Sequence, residues 1–135
     1  MENNWRHKTL ENLEKKNWGT PDNAPTFLVK RCLELRKIQI KDFSIEDLRI
    51  MIGQQIGLIY LISFAIEKLK ENIFSEGDFY PGDLLQNILN VDSKFWEENK
   101  NLRKGVDGLI MNRDQEMKEN KISTKKYFSF QSKQT

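Results

Sequence analysis

Residues 48–66 constrain this chain more than any other stretch. Leu48, Met51, Ile52, Gln55, Ile56, Ile59 and Ile62 fall at helical steps, and Leu58 to Ile66 is apolar nearly all round. A helix that is apolar on every side must be surrounded by other elements, so a buried central helix is predicted here. Ser44 opens the region: Ser44 and Asp47 have capping-box spacing, with Asp in place of the usual Glu. The helical pattern runs to about Asn72, with a bend or break expected near Gly53 or Gly57. The longest apolar run, Ile56 to Ile66, has 11 residues, well short of the roughly 20 needed to cross a bilayer. Gly53 and Gly57 have GxxxG spacing, but Gln54 and Gln55 between them point to a tight helix contact or bend, not membrane dimerisation. No membrane span is expected.

Weaker periodic segments flank this helix. Leu10 and Leu13, between Lys8 and Lys16, predict a short amphipathic helix; Gly19, Pro21 and Pro25 mark the following stretch as a loop. Thr26 suits the N-cap of a second helix, with Leu28, Cys32 and Leu35 at helical spacing. Ile38 to Phe43 stays open between an extended link and a fraying helix end. Ser75 to Gly82 reads as a connection, Asp83 to Asn90 as a short helix, and Phe95 and Trp96 as the start of a last one. Met1 to Arg6 is polar and expected to fray. Apolar density falls after Leu102, so Lys118 to Lys126 is expected to fray or pack loosely, with Tyr127, Phe128 and Phe130 available to anchor its end. No stretch alternates long enough to argue for a sheet. The predicted fold class is all-α, a compact single-domain bundle of about five to seven helices with a charged tail. Its helical domain is residues 1–98; residues 99–135 form a basic extension, helical or partly disordered.

Charge is distributed in blocks. Residues 1–41 hold nine Lys or Arg against five Asp or Glu, residues 42–98 four against eleven, and residues 99–135 nine against four. The formal net charge of +2 therefore conceals an acidic centre of −7 between basic ends. Within it, Glu76, Asp78, Asp83, Asp92, Glu97 and Glu98 are opposed only by Lys94. A solvated face with acids at helix N-termini explains such a pattern, and so does a patch that steers a basic partner. A single cysteine, Cys32, leaves no internal disulfide and fits a reducing compartment. No apolar stretch follows a basic start, so no signal peptide is expected and the chain is read as cytoplasmic.

The usual catalytic parts are missing. His7 is the one histidine and has no partner cluster at ligand spacing; there is no phosphate-binding glycine loop, nucleophile elbow or Cys-x-x-Cys. Cys32 lies on an apolar stripe, as a small core residue does. Asp78 and Asp83 flank a turn, where capping explains them better than acid–base chemistry. No enzyme activity, metal or cofactor is expected. The pI of about 8.6 invites a check for nucleic-acid binding. Lys118 to Lys133 holds five lysines interleaved with Tyr127, Phe128 and Phe130, which suits weak phosphate binding and base stacking. The acidic centre opposes it, so a nucleic-acid-binding regulator using the basic tail is the alternative.

Residues 75–85, Ser-Glu-Gly-Asp-Phe-Tyr-Pro-Gly-Asp-Leu-Leu, carry a resemblance. With Lys8-Thr9-Leu10-Glu11, Leu28-Val29 and Arg31, Ile45-Glu46-Asp47-Leu48-Arg49, Ile52-Gly53-Gln54, Gly57-Leu58, Asp92 and Phe95-Trp96 in order, the chain resembles bacterial contact-dependent growth inhibition immunity proteins over roughly residues 8–96. The resemblance implies a cytoplasmic protein that binds the toxin domain delivered by a neighbouring sister cell. Such a protein covers the toxin's active site or substrate surface and catalyses nothing. Many of these toxins are nucleases, and a ribonuclease suits the acidic centre. No catalytic residue carries over, and contact residues differ from pair to pair. The candidate steering patch is Glu76, Asp78, Asp83, Asp92, Glu97 and Glu98, with Tyr80 and Trp96 as candidate anchors and Trp96 better read as core. Turn and capping chemistry favours a connecting role for residues 76–85 over direct contact. The oligomeric state stays open.

Overall fold

The computed structural model describes residues 3–132, with side chains through Ser129. Met1, Glu2 and Lys133, and the Phe130 side chain proposed as an anchor, lie outside what is described. Among the described residues the chain is all-α, as predicted. Its helices are α1 Leu10–Glu14, α2 Phe27–Leu35, α3 Ile45–Gly53, α4 Leu58–Glu71, α5 Asp83–Leu89, α6 Ser93–Glu98, α7 Lys100–Ile110, α8 Asp114–Glu119 and α9 Lys125–Ser132. Single 3₁₀ turns lie at Trp5–His7, Pro21–Asn23 and Ile40–Asp42.

Helix number exceeds expectation because residues with positive φ cut the chain repeatedly. The capping box opening α3 is complete: Ser44 Oγ accepts from the Asp47 N–H and the Asp47 carboxylate accepts from the Ser44 N–H, both at 3.0 Å. After Gly53 the backbone turns left-handed at Gln55 (φ 57°) and Gly57 (φ 62°), and α4 starts afresh. A Cβ at Gly57 would lie 2.8 Å from both methyl carbons of Leu10. Conformation and space together therefore require glycine there. Asn112 and Lys121 turn left-handed in the same way and separate α7, α8 and α9.

The centre is α4, which buries Leu61, Ile62, Phe64, Ala65, Ile66 and Leu69. Helices α3 and α7 pack on it, and α5 packs on α3. Each large apolar side chain buried there contributes about 1.5–3 kcal/mol, whereas an exposed ion pair contributes about 0–1. Core contacts therefore decide the fold. No helix of the described residues is long and apolar enough to cross a membrane.

At the N-terminal side, Thr9 caps α1 and Thr26 caps α2, each accepting a backbone N–H at 3.1 Å. Arg36 ends α2 fully buried, bonded to the Glu14 carboxylate and the Lys16 carbonyl, with its guanidinium 4.0 Å from the Trp18 ring centroid. Pairing of this kind is what makes a buried charge tolerable. At the other end, Val106, Leu109, Ile110, Met117, Ile122 and Tyr127 enter the same core cluster as Leu61 and Leu85. The stretch expected to fray is thus held at Met117, Ile122 and Tyr127. Ile122 lies over Gly82, where a Cβ would meet its Cδ1 at 2.8 Å. The Tyr127 hydroxyl donates to Asp107 Oδ1 at 2.6 Å, and burial together with this carboxylate pushes its pKa up.

Candidate functional site

The segment between α4 and α5 is organised by its backbone amides. Asp83, the first residue of α5, turns back on the loop and is only 2 % exposed. Its Oδ1 accepts from the Gly77 N–H at 2.7 Å; its Oδ2 accepts from Phe79 at 3.0 Å and more weakly from Tyr80 at 3.4 Å. Glu46 of α3 reaches across and accepts the Asp78 N–H at 2.8 Å. Two carboxylates therefore grip four successive amides. Arg49, one turn along α3, donates to both Glu46 oxygens at 2.6 and 2.5 Å and lies 3.9 Å from Asp83 Oδ2.

Charge and space both hold this arrangement together. Hydrogen bonding by Arg49, and then by the Asp78 amide, holds the Glu46 carboxyl below its usual range despite partial burial. A Cβ on Gly77 would lie 2.5 Å from Glu46 Oε1 and 3.0 Å from Asp83 Oδ2, so a side chain there would push these carboxylates off the loop amides. Asp47, beside Glu46, binds Arg31 of α2 at 2.8 Å. An ionic network thus joins α2, α3, the loop and α5.

With its amides turned inward, the loop puts side chains into solvent. Asp78 is exposed, Phe79 is 68 % exposed and Tyr80 41 %. The Arg49 guanidinium lies 4.3 Å from the Phe79 ring centroid, which steadies the ring. The first turn of α2 exposes Phe27 (83 %) and, less fully, Leu28. Leu28 and Phe79 share one shallow groove of about 390 Å³ with Ile50, Gln54 and Asn87.

The candidate residues separate into three groups. Glu76, Asp78 and Tyr80 lie on the clamped loop and are exposed. Asp92, Glu97 and Glu98 are exposed beyond the far end of α5, a helix about 10 Å long at seven residues. Asp92 already bonds the Gln55 side chain at 3.2 Å and lies 3.6 Å from Lys126 Nζ. Asp83 and Trp96 are interior, which corrects their place in a contact surface. Asp83 is turned onto loop amides, and Trp96, 0 % exposed, packs edge-on against Phe95 and Tyr127. The acids therefore form two separate groups, not one continuous field. Tyr127, 1 % exposed, cannot stack a base.

Sequence reasoning overlooked Glu46, Arg49, Leu28 and Phe79 as working parts. One signal was present, since Glu46 and Arg49 have the i,i+3 spacing of a helical ion pair. Their connection to a loop some thirty residues away was not visible. Among the described residues no group of three or more His, Cys, Asp or Glu side chains is placed to hold a metal ion.

A stiffened loop beside an exposed apolar face equips a helical protein to bind another protein. Residues 12–106 match the family of CDI immunity proteins, and the chain belongs to that family. It is an immunity protein that neutralises a toxin. No curated protein and no solved structure matches the chain. The family match spans the whole clamp, from Arg31 through Asp83, and continues into α7.

Proposed function

We propose that the toxin is a basic nuclease domain, and that this protein binds it one-to-one in the cytoplasm. Binding covers the toxin's active site or substrate surface, and the immunity protein catalyses nothing. The observation that carries this reading is the exposure of Glu76, Asp78, Asp92, Glu97 and Glu98 within a block of net charge −7. Nucleases hold phosphates with cations, so acids at both ends of α5 attract such a domain and raise its association rate.

The test is calorimetry against the toxin domain encoded beside this protein, paired with a nuclease assay of the mixture. One-to-one binding and loss of cleavage are expected, with association slowing as salt rises. Absence of binding at low salt would remove the reading, and a salt-independent association rate would remove the steering role.

A second reading, nucleic-acid binding, draws on the exposed Lys118, Lys121, Lys125 and Lys126. Gel shifts with these lysines changed to glutamate address it. Truncation at residue 99 does not, because it also removes the buried Val106 and Tyr127.

A further inference from the structure

Two exposed large apolar side chains from different elements, Leu28 and Phe79, meet in one groove, while Trp18, Ile59, Met111 and Phe128 are exposed outside it. Phe27, Leu28 and Val29 at the start of α2, and Phe79 and Tyr80 on the clamped loop, are all exposed, and Leu28 and Phe79 line one groove. A phenylalanine that is 68 % exposed, as Phe79 is, gives up most of its burial energy. Asn87 and Gln54 add polar groups to the groove lining, and Asn87 Nδ2 donates to the Arg49 carbonyl at 2.9 Å.

We propose that this face is the toxin-docking surface, and that its occupant is the toxin's nucleotide-binding cleft. The inference rests on the nuclease reading above. Asp78 and Phe79 are adjacent, one an exposed carboxylate and the other an exposed ring. A cleft that binds a nucleotide needs cations for the phosphate and a flat surface for the base. Asp78 and Glu76 complement those cations, and the ring of Phe79 complements the base site. The ring's inner face is already taken by Arg49 at 4.3 Å, which leaves the outer face for stacking.

Preorganisation strengthens the case. The amides of residues 77–80 are bonded to Asp83 and Glu46, so little loop entropy is lost when the toxin docks. The acids of α6 lie apart from this face and contribute at long range.

The experiment compares Phe79→Ala, Leu28→Ala and Asp78→Asn with the wild type by surface-binding kinetics on the neighbouring-gene toxin domain. A competition arm with millimolar adenosine and cytidine monophosphates accompanies it, and circular dichroism verifies each fold. Phe79→Ala should weaken binding about thirtyfold or more, as a truncated hot-spot aromatic does. Asp78→Asn should mainly slow association, and the nucleotides should compete with the wild type. If the wild type binds while Phe79→Ala and Leu28→Ala bind equally well, this surface is wrong although the immunity reading stands. If both variants weaken binding but nucleotides do not compete, the cleft is not the occupant. Failure of the wild type to bind overturns both proposals.

Discussion

Replacing Asp83 with alanine should loosen the loop and destabilise the whole protein. The carboxylate accepts amide bonds at 2.7, 3.0 and 3.4 Å. A hydrogen bond to a charged acceptor contributes about 1.5–3 kcal/mol. Taking only the two shorter bonds, at the lower value, gives about 3 kcal/mol for Asp83→Ala. Unfolding entropy is about 2.1 cal/mol/K per residue, which for 135 residues makes the expected fall in Tm about 10 °C. Asp83→Asn keeps one acceptor oxygen and should fall between the alanine variant and the wild type. Glu76→Gln, exposed on the same loop, should stay within about 0.5 kcal/mol. Thermal unfolding followed by circular dichroism reads all three. If Asp83→Ala melts within about 2 °C of Glu76→Gln, the amide clamp is not holding the fold and the assignment of Asp83 is mistaken.

Three further outcomes follow from the packing and the ion pairs. Glu46 has a folded pKa below its unfolded one, so its stabilisation is present above the ordinary carboxylate range and lost as pH falls through it. Glu46→Gln should therefore be less stable at neutral pH and lose less stability than wild type between about pH 5 and about pH 3, measured by urea unfolding. Gly57→Ala meets both a φ of 62° and a 2.8 Å contact with Leu10, and should cost about 2–4 kcal/mol by the same assay. Ile122→Ala should cost about 2–4 kcal/mol if the C-terminal stretch is core, whereas a change under about 0.5 kcal/mol would make it a loosely attached tail.

Local chemistry made part of the fold legible. Thr26 and the Ser44–Asp47 pair are short-range signals, and both caps are present. The all-round apolar character of residues 58–66 likewise located the central helix. The break at Gly53–Gly57 was foreseen in place but not in mechanism, because a left-handed Gln55 has no sequence signature.

The C-terminal packing is readable from residue spacing, which apolar density alone conceals. Leu102, Val106, Leu109 and Ile110 have helical spacing, and the last three are buried. Asp83 could not be placed from sequence. An acid before a leucine pair reads as exposed, and only the folded loop shows that it faces three amides across a turn. The acidic residues were close in sequence, but α5 intervenes and separates them in space.

The clamp's hydrogen bonds from Asp83 and Glu46 go to the backbone of the loop, and this shapes how the protein can change. At positions 78–80, Glu46 and Asp83 hold N–H groups that every residue except proline supplies. Asp78, Phe79 and Tyr80 can thus be exchanged without loss of these amide bonds, while Arg31, Glu46, Arg49, Gly77 and Asp83 keep the frame. Lineages that meet a new rival can rewrite three outward letters without renegotiating the grammar of the fold.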